Sequence, residues 1–162
     1  MAFATTAELE VGVRTAIPHF TLHLLSGGPE AVEALRGSGL LTKSVAEDDP
    51  LSADDLLRIA GGRDGILVLG HYHLGSVGFI LGQLHAAGRG EVHLFVWRGW
   101  TQGPMAWSRE ATRFLDGVAQ SLGCDAIVAI TPPRIAKLME FRYGFKRTGV
   151  HLTRRVTREA PE

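Results

Sequence analysis

Apolar residues recur along this chain with two periods, and each change of period marks an element. Leu9, Val11 and Val13 alternate with Glu10, Gly12 and Arg14, which predicts a short strand or ordered lead-in over about residues 9 to 17. From Pro18 to Leu25 the pattern reads as helical or irregular until Gly27 and Gly28 stop it. Pro29 then suits the first turn of a helix through Ala34 and Leu35. The acidic run Glu47-Asp48-Asp49-Pro50 breaks the pattern. Ser52 with Asp55 three positions on resembles a capping box with an acid in place of the usual Glu or Gln. Leu56, Leu57, Ile59 and Ala60 form the apolar side of that helix, which Gly61 and Gly62 end.

The period then falls to two. Ile66 to Leu69 reads as a buried strand, and Val77, Phe79 and Leu81 alternate with Gly78, Ile80 and Gly82 in a second one, joined antiparallel by a turn near Leu74-Gly75-Ser76. After a Gly-rich turn from Ala86 to Gly90, Val92, Leu94 and Val96 share one face of a third antiparallel strand, with His93, Phe95 and Trp97 on the other. Pro104 suits the start of a long helix in which Trp107, Ala111, Phe114, Leu115, Val118, Ala119 and Leu122 form one stripe, ended by Gly123. Ile127 to Ile130 lies in a strand reached by this helical crossover, so it should run parallel to the third. Pro132 and Pro133 restart a helix through Ile135, Leu138 and Met139. Gly144-Phe145 turns into a last extended segment over about 145 to 157.

These elements predict an α/β (α+β) domain with a mixed, mostly antiparallel central sheet and helices on both faces. With 162 residues, 45% of them hydrophobic, one domain over residues 1–162 is expected, with 158–162 a short tail. Lys and Arg total 17 and so do Asp and Glu, so no global field draws the chain to nucleic acid or an anionic membrane. No apolar run approaches a membrane span. The Met-Ala-Phe-Ala-Thr-Thr start lacks the basic and apolar regions of a secretory leader, which predicts a cytoplasmic protein. The single cysteine, Cys124, excludes an intramolecular disulfide and a thiolate metal cluster, and reads as a small apolar filler.

Candidate chemistry concentrates where the third strand runs into the Gly-punctuated loop that opens the long helix. Such a junction converges backbone N–H groups at the positive end of a helix dipole, an outline suited to a phosphate. His93, mid-strand beside Phe95 and Trp97, is a candidate base, with Glu91 an alternative. His71 and His73 have a spacing compatible with two metal ligands, but no third ligand accompanies them, and no metal is expected. Trp97, Trp100 and Trp107 crowd the same junction. Lys146, Arg147, Arg154, Arg155 and Arg158 make the last segment a basic edge.

The order of elements, together with Lys137-Leu-Met-Glu-Phe-Arg-Tyr-Gly-Phe145 and the Lys146-Arg147-Thr148-Gly149 that follows, resembles the Gcn5-related N-acetyltransferase (GNAT) family. The match covers about residues 64 to 150 well and the N-terminal part by element order. The chain also resembles the short, divergent members encoded by bacteriophages. The resemblance implies acetyl-CoA as cosubstrate. Leu94, Phe95, Val96 and Trp97 would pair with its pantetheine arm, and amides from Arg98, Gly99, Gln102 and Gly103 with Met105 would meet its pyrophosphate. His93, Glu140 and Tyr143 would be the catalytic side chains.

The family loop is Arg or Gln, two residues, Gly, one residue, then Gly or Ala. This chain reads Arg98-Gly99-Trp100-Thr101-Gln102-Gly103-Pro104-Met105, and a proline has no N–H to donate. The family's thiolate-protonating Tyr falls at Glu140, and an Asn common earlier on that segment falls at Pro133. The expected function is acetyl transfer to a primary amine of a small molecule or protein, with a homo-oligomer an open possibility. The alternative is the same fold kept as a non-catalytic binding or structural protein, for example a virion component among other virion proteins.

Overall fold

The computed structural model describes residues 13–14 and 17–149. They divide into two compact units, one ending at Ala129 and the other beginning at Ile130.

The first unit is built on a six-stranded sheet in the order β1 (Val13–Arg14), β2 (Phe20–Ser26), β3 (Gly65–Tyr72), β4 (Gly75–Ala86), β5 (Val92–Thr101) and β6 (Ala126–Ala129). Neighbours from β1 to β5 are antiparallel, and β6 runs parallel to β5. Between β2 and β3 lie helices α1 (Pro29–Gly37), α2 (Leu41–Ser44) and α3 (Ala53–Gly61), and α4 (Met105–Ser121) carries the crossover from β5 to β6.

The expected helical or irregular piece over Pro18 to Leu25 is corrected to strand β2. Phe20, Leu22 and Leu24 are buried while Thr21 and His23 are exposed, so the operative period was two. Its polar positions are a threonine and a histidine, which a helical reading also accommodates. β1 occupies part of the lead-in expected over about 9 to 17; residues 9–12, 15 and 16 of that segment lie outside the described residues, and Ile17 is in a bend. Pro29 opens α1, and at α3 the Ser52 hydroxyl accepts the Asp55 N–H while the Asp55 carboxylate accepts the Ser52 N–H.

The sheet buries both faces. On one, Leu22, Leu24, Ile66, Val68, Leu84 and Leu94 pack with Leu115, Val118 and Ala119 of α4. On the other, Leu67, Leu69, Phe79 and Leu81 pack with Ala31 and Leu35 of α1 and Leu56 and Ala60 of α3. Leu94 and Leu67 are fully buried on opposite faces, and each such leucine stabilises the fold by about 2 kcal/mol relative to an exposed one. The α1 and α3 ends meet where Gly27 donates its N–H to the Gly65 carbonyl at 2.6 Å. A side chain on Gly27 would collide with the Gly62 carbonyl, so close backbone approach requires glycine there.

The second unit contains α5 (Pro133–Tyr143), closed by Gly144 in the left-handed region at φ 70°. Residues 145–149 hold no regular element, and the remainder of the expected last segment lies outside the described residues.

Candidate functional site

The regular alternation of β5 ends at Trp97. Gly82 of β4 pairs with Val96 and Leu81 pairs with Arg98, which leaves Trp97 as an extra residue bulged out of the ladder. On the other side of β5, parallel pairing with β6 runs from His93 opposite Ala126 to Val96 opposite Ala129, where β6 ends. β5 continues from Trp97 to Thr101 and then enters the loop leading to α4. Bulge and end of pairing therefore coincide, and β5 beyond Val96 has no partner in β6.

The loop is exposed from Thr101 to Ala106. The Gln102 N–H is bonded to the Val77 carbonyl at 2.9 Å, and the Trp107 N–H to the Pro104 carbonyl at 3.1 Å. Pro104 has none. The amides of Gly103 and Ala106 have no acceptor among the described residues. Gly103 sits at φ 137°, and the Trp107 ring lies against its Cα face. Trp107 stacks on Phe20 at 5.7 Å and leans on Tyr72 at 5.0 Å, so it anchors the loop to the α4-side core. Two free amides at the start of a seventeen-residue helix remain for an anion.

Arg98, expected at the phosphate end, sends its guanidinium elsewhere. Its Nη2 lies 2.6 Å from Oδ1 of Asp49, whose side chain is buried, and its Nε is buried with no partner among the described residues. Burial alone would raise the Asp49 carboxyl. The hydrogen bonds from Arg98 and from backbone N–H groups outweigh it and hold the group below the usual carboxylate range. The pair ties the segment before α3 to β5.

The face of β5 opposite Leu94 carries the titratable chemistry. Oε2 of Glu91 lies 3.0 Å from Nε2 of His93, and the His93 side chain is about a quarter exposed. An ionised carboxylate only accepts, so Nε2 carries the proton of that bond, and in the neutral ring the lone pair is on Nδ1. The two residues read from sequence as rival bases are thus one coupled pair. Directly across the ladder from His93 stands His85. Its Nε2 lies 2.9 Å from Oε1 of Gln83, the same oxygen to which Trp97 Nε1 donates at 3.0 Å. An indole N–H only donates, which fixes the Gln83 amide orientation and makes His85 Nε2 a donor as well. Gln83 and His85 escaped the sequence reading because their relevance comes from cross-strand register, which alternation alone does not reveal.

In the second unit Glu140 is ion-paired with Arg147 at 3.0 Å, and Tyr143 ends α5 next to Gly144. His71 and His73 do not act together. His71 meets His23 edge-on at 5.0 Å and the Ser76 hydroxyl at 3.4 Å, whereas His73 stacks on His19 at 4.8 Å. His71 and His23 line a cavity of about 350 Å³ under α1. Burial, then the His23 ring, hold the His71 imidazole below its ordinary pKa.

No protein-family model and no curated protein matches this sequence. Solved structures do match its architecture. An aminoglycoside acetyltransferase, HMB0005, from an uncultured soil metagenomic sample superposes with a TM-score of 0.66 at 12% identity, over 85% of this chain and 99% of that one. AAC(6')-Iy, solved in complex with the bisubstrate analog CoA-S-monomethyl-acetylneamine, gives 0.61 at 14% over 84% and 98%. A GNAT family acetyltransferase of Staphylococcus aureus subsp. aureus USA300_TCH1516 gives 0.61 at 13% over 85% and 99%. This chain, with its parallel β5–β6 pair in a sheet flanked by α4 on one face and α1 and α3 on the other, has the GNAT fold.

Proposed function

We propose that this chain transfers an acetyl group from acetyl-CoA to a primary amine of a small molecule or protein. The observation that carries the reading is the end of β5–β6 pairing at Val96, next to the Trp97 bulge, on a strand that leads into the start of α4. An extended pantetheine arm fits a strand edge released in this way, since it presents amide donors and acceptors of its own. The loop fits a diphosphate through the Gly103 and Ala106 amides and the helix dipole. The Arg98 guanidinium takes no part in that fit, because Asp49 holds it.

Acetyl-CoA supplies an acyl group activated as a thioester. The chain's own task is to present a neutral amine to it. His93 Nδ1 takes the proton of the incoming ammonium, and Glu91, bonded to Nε2, orients the ring and stabilises the imidazolium that results. For the leaving thiolate the family resemblance calls for a phenol; the matching position is Glu140, which is committed to Arg147, and the His93 imidazolium holds a proton that the thiolate takes.

Calorimetric titration of acetyl-CoA and CoA tests the first requirement, and absence of heat at high micromolar protein rejects the reading. Where CoA binds, release of its free thiol in the presence of an amine panel measures transfer. His93→Gln should then lower kcat by about 10²-fold or more, the usual worth of a positioned general base.

A further inference from the structure

Resting on the transfer reading, the face that carries His93 also describes its acceptor. His85 and Phe95 lie nearly parallel, 5.4 Å apart and 20° inclined. Trp97 crosses both, at 4.7 Å and 55° from Phe95 and 6.4 Å and 59° from His85. Gln83 pins two of the three rings through one oxygen. His85 is exposed and Phe95 and Trp97 are half-buried, so the corner they make is open to solvent among the described residues. It adjoins the base, because His85 stands directly opposite His93 in the ladder.

We propose that this corner is the acceptor subsite and that it takes an amine borne on a flat aromatic body, an arylalkylamine, in preference to a polycationic sugar. A ring laid on the His85–Phe95 pair meets the tilted Trp97 indole edge to face, the arrangement aromatic groups favour. The ammonium on its short tether then reaches His93 Nδ1 across the strand, while the π faces attract its charge before the proton leaves. A polycation needs several carboxylates to replace its hydration. Among the described residues Glu91 is the one carboxylate bonded into this cluster, and it is already engaged with His93. Recognition therefore differs in kind from what an aminoglycoside requires.

The experiment titrates 2-phenylethylamine, n-hexylamine and kanamycin into the full chain without acetyl-CoA, following tryptophan fluorescence and heat. It then measures thiol release with each amine when acetyl-CoA is present. The expected result is quenching by 2-phenylethylamine and a kcat/KM about tenfold above that for n-hexylamine, with kanamycin below both. Phe95→Leu and Trp97→Leu, checked for folding by circular dichroism, should bring the first ratio close to one. Ring binding without thiol release supports the subsite and removes the transfer reading. Thiol release with no preference for the aromatic amine, or with kanamycin preferred, overturns the subsite and leaves transfer standing. Neither binding nor release overturns both.

Discussion

The indole of Trp107 lies against the Cα of Gly103, so close that a methyl group on Gly103 would overlap its ring atoms. With φ at 137°, Gly103 also occupies backbone space that side chains rarely enter. Gly103→Ala should therefore destabilise the fold by about 1–3 kcal/mol, through strain and overpacking together. Thermal unfolding measures that loss. Calorimetry should show CoA affinity reduced as well, because the displaced loop carries one of its two free amides. An unchanged melting temperature would mean that the loop yields freely.

Glu91 acts on catalysis through His93 rather than directly, and its two contributions separate in kinetics. Glu91→Gln keeps a side-chain oxygen for Nε2 and so the ring's orientation, but removes the negative charge beside it. Amine acetylation should then show a kcat lowered by about tenfold with the KM for acetyl-CoA unchanged. Glu91→Ala should slow turnover further by freeing the ring to rotate. Equal kcat for wild type and both variants would detach the carboxylate from the base.

The Asp49–Arg98 pair predicts a specific acid sensitivity. The native Asp49 pKa is depressed, so its contribution is fully present above the unfolded carboxylate value near 4 and disappears as pH falls through the lower native value. Asp49→Asn leaves Arg98 half-buried without its counter-charge, a loss on the order of 3 kcal/mol at neutral pH. Urea unfolding of both proteins at pH 7 and pH 3 tests this. The gap between them should narrow at the lower pH.

His71 gives a slope of opposite origin. Burial and the neighbouring His23 ring lower its native pKa, so the unfolded chain binds the extra proton more readily. Stability should fall as pH drops below about 6.5, the ordinary histidine value, and level off once the native group also protonates. The other polar groups at this spot are the hydroxyls of Thr21 and Ser76, which carry no charge to offset it. In His71→Asn the melting temperature should change less between pH 7.5 and 5.5 than in wild type.

Much of the fold was legible from residue spacing. The α4 stripe, the Ser52–Asp55 box, the apolar run of β3 and the β4–β5 alternation each announced an element, because a sustained period, an unbroken apolar run or a fixed cap spacing marked it. β2 was not legible, since Pro18 before it and the Gly pair after it frame a segment too short to decide between periods. At the site, His93 was visible as a histidine on an apolar strand. Its coupling to Glu91 two residues away was not, because successive same-face side chains read as independent until their rotamers are known. The engagement of the Arg98 side chain with Asp49 was not legible for a topological reason: one bulged residue decides which layer that side chain enters.

That single extra residue has a consequence for how this strand tolerates change in length. Upstream of Trp97, even-numbered positions such as Leu94 and Val96 belong to the α4 layer; downstream, Arg98 reaches Asp49 and Trp100 joins the α1 and α3 layer. Excising Trp97 would restore an uninterrupted ladder with Arg98 still opposite Leu81, on the α1 and α3 side; pairing Trp97 into the ladder instead would turn a guanidinium and an indole toward the leucines of α4. The strand can therefore lose its extra residue without exchanging layers, but it cannot absorb it.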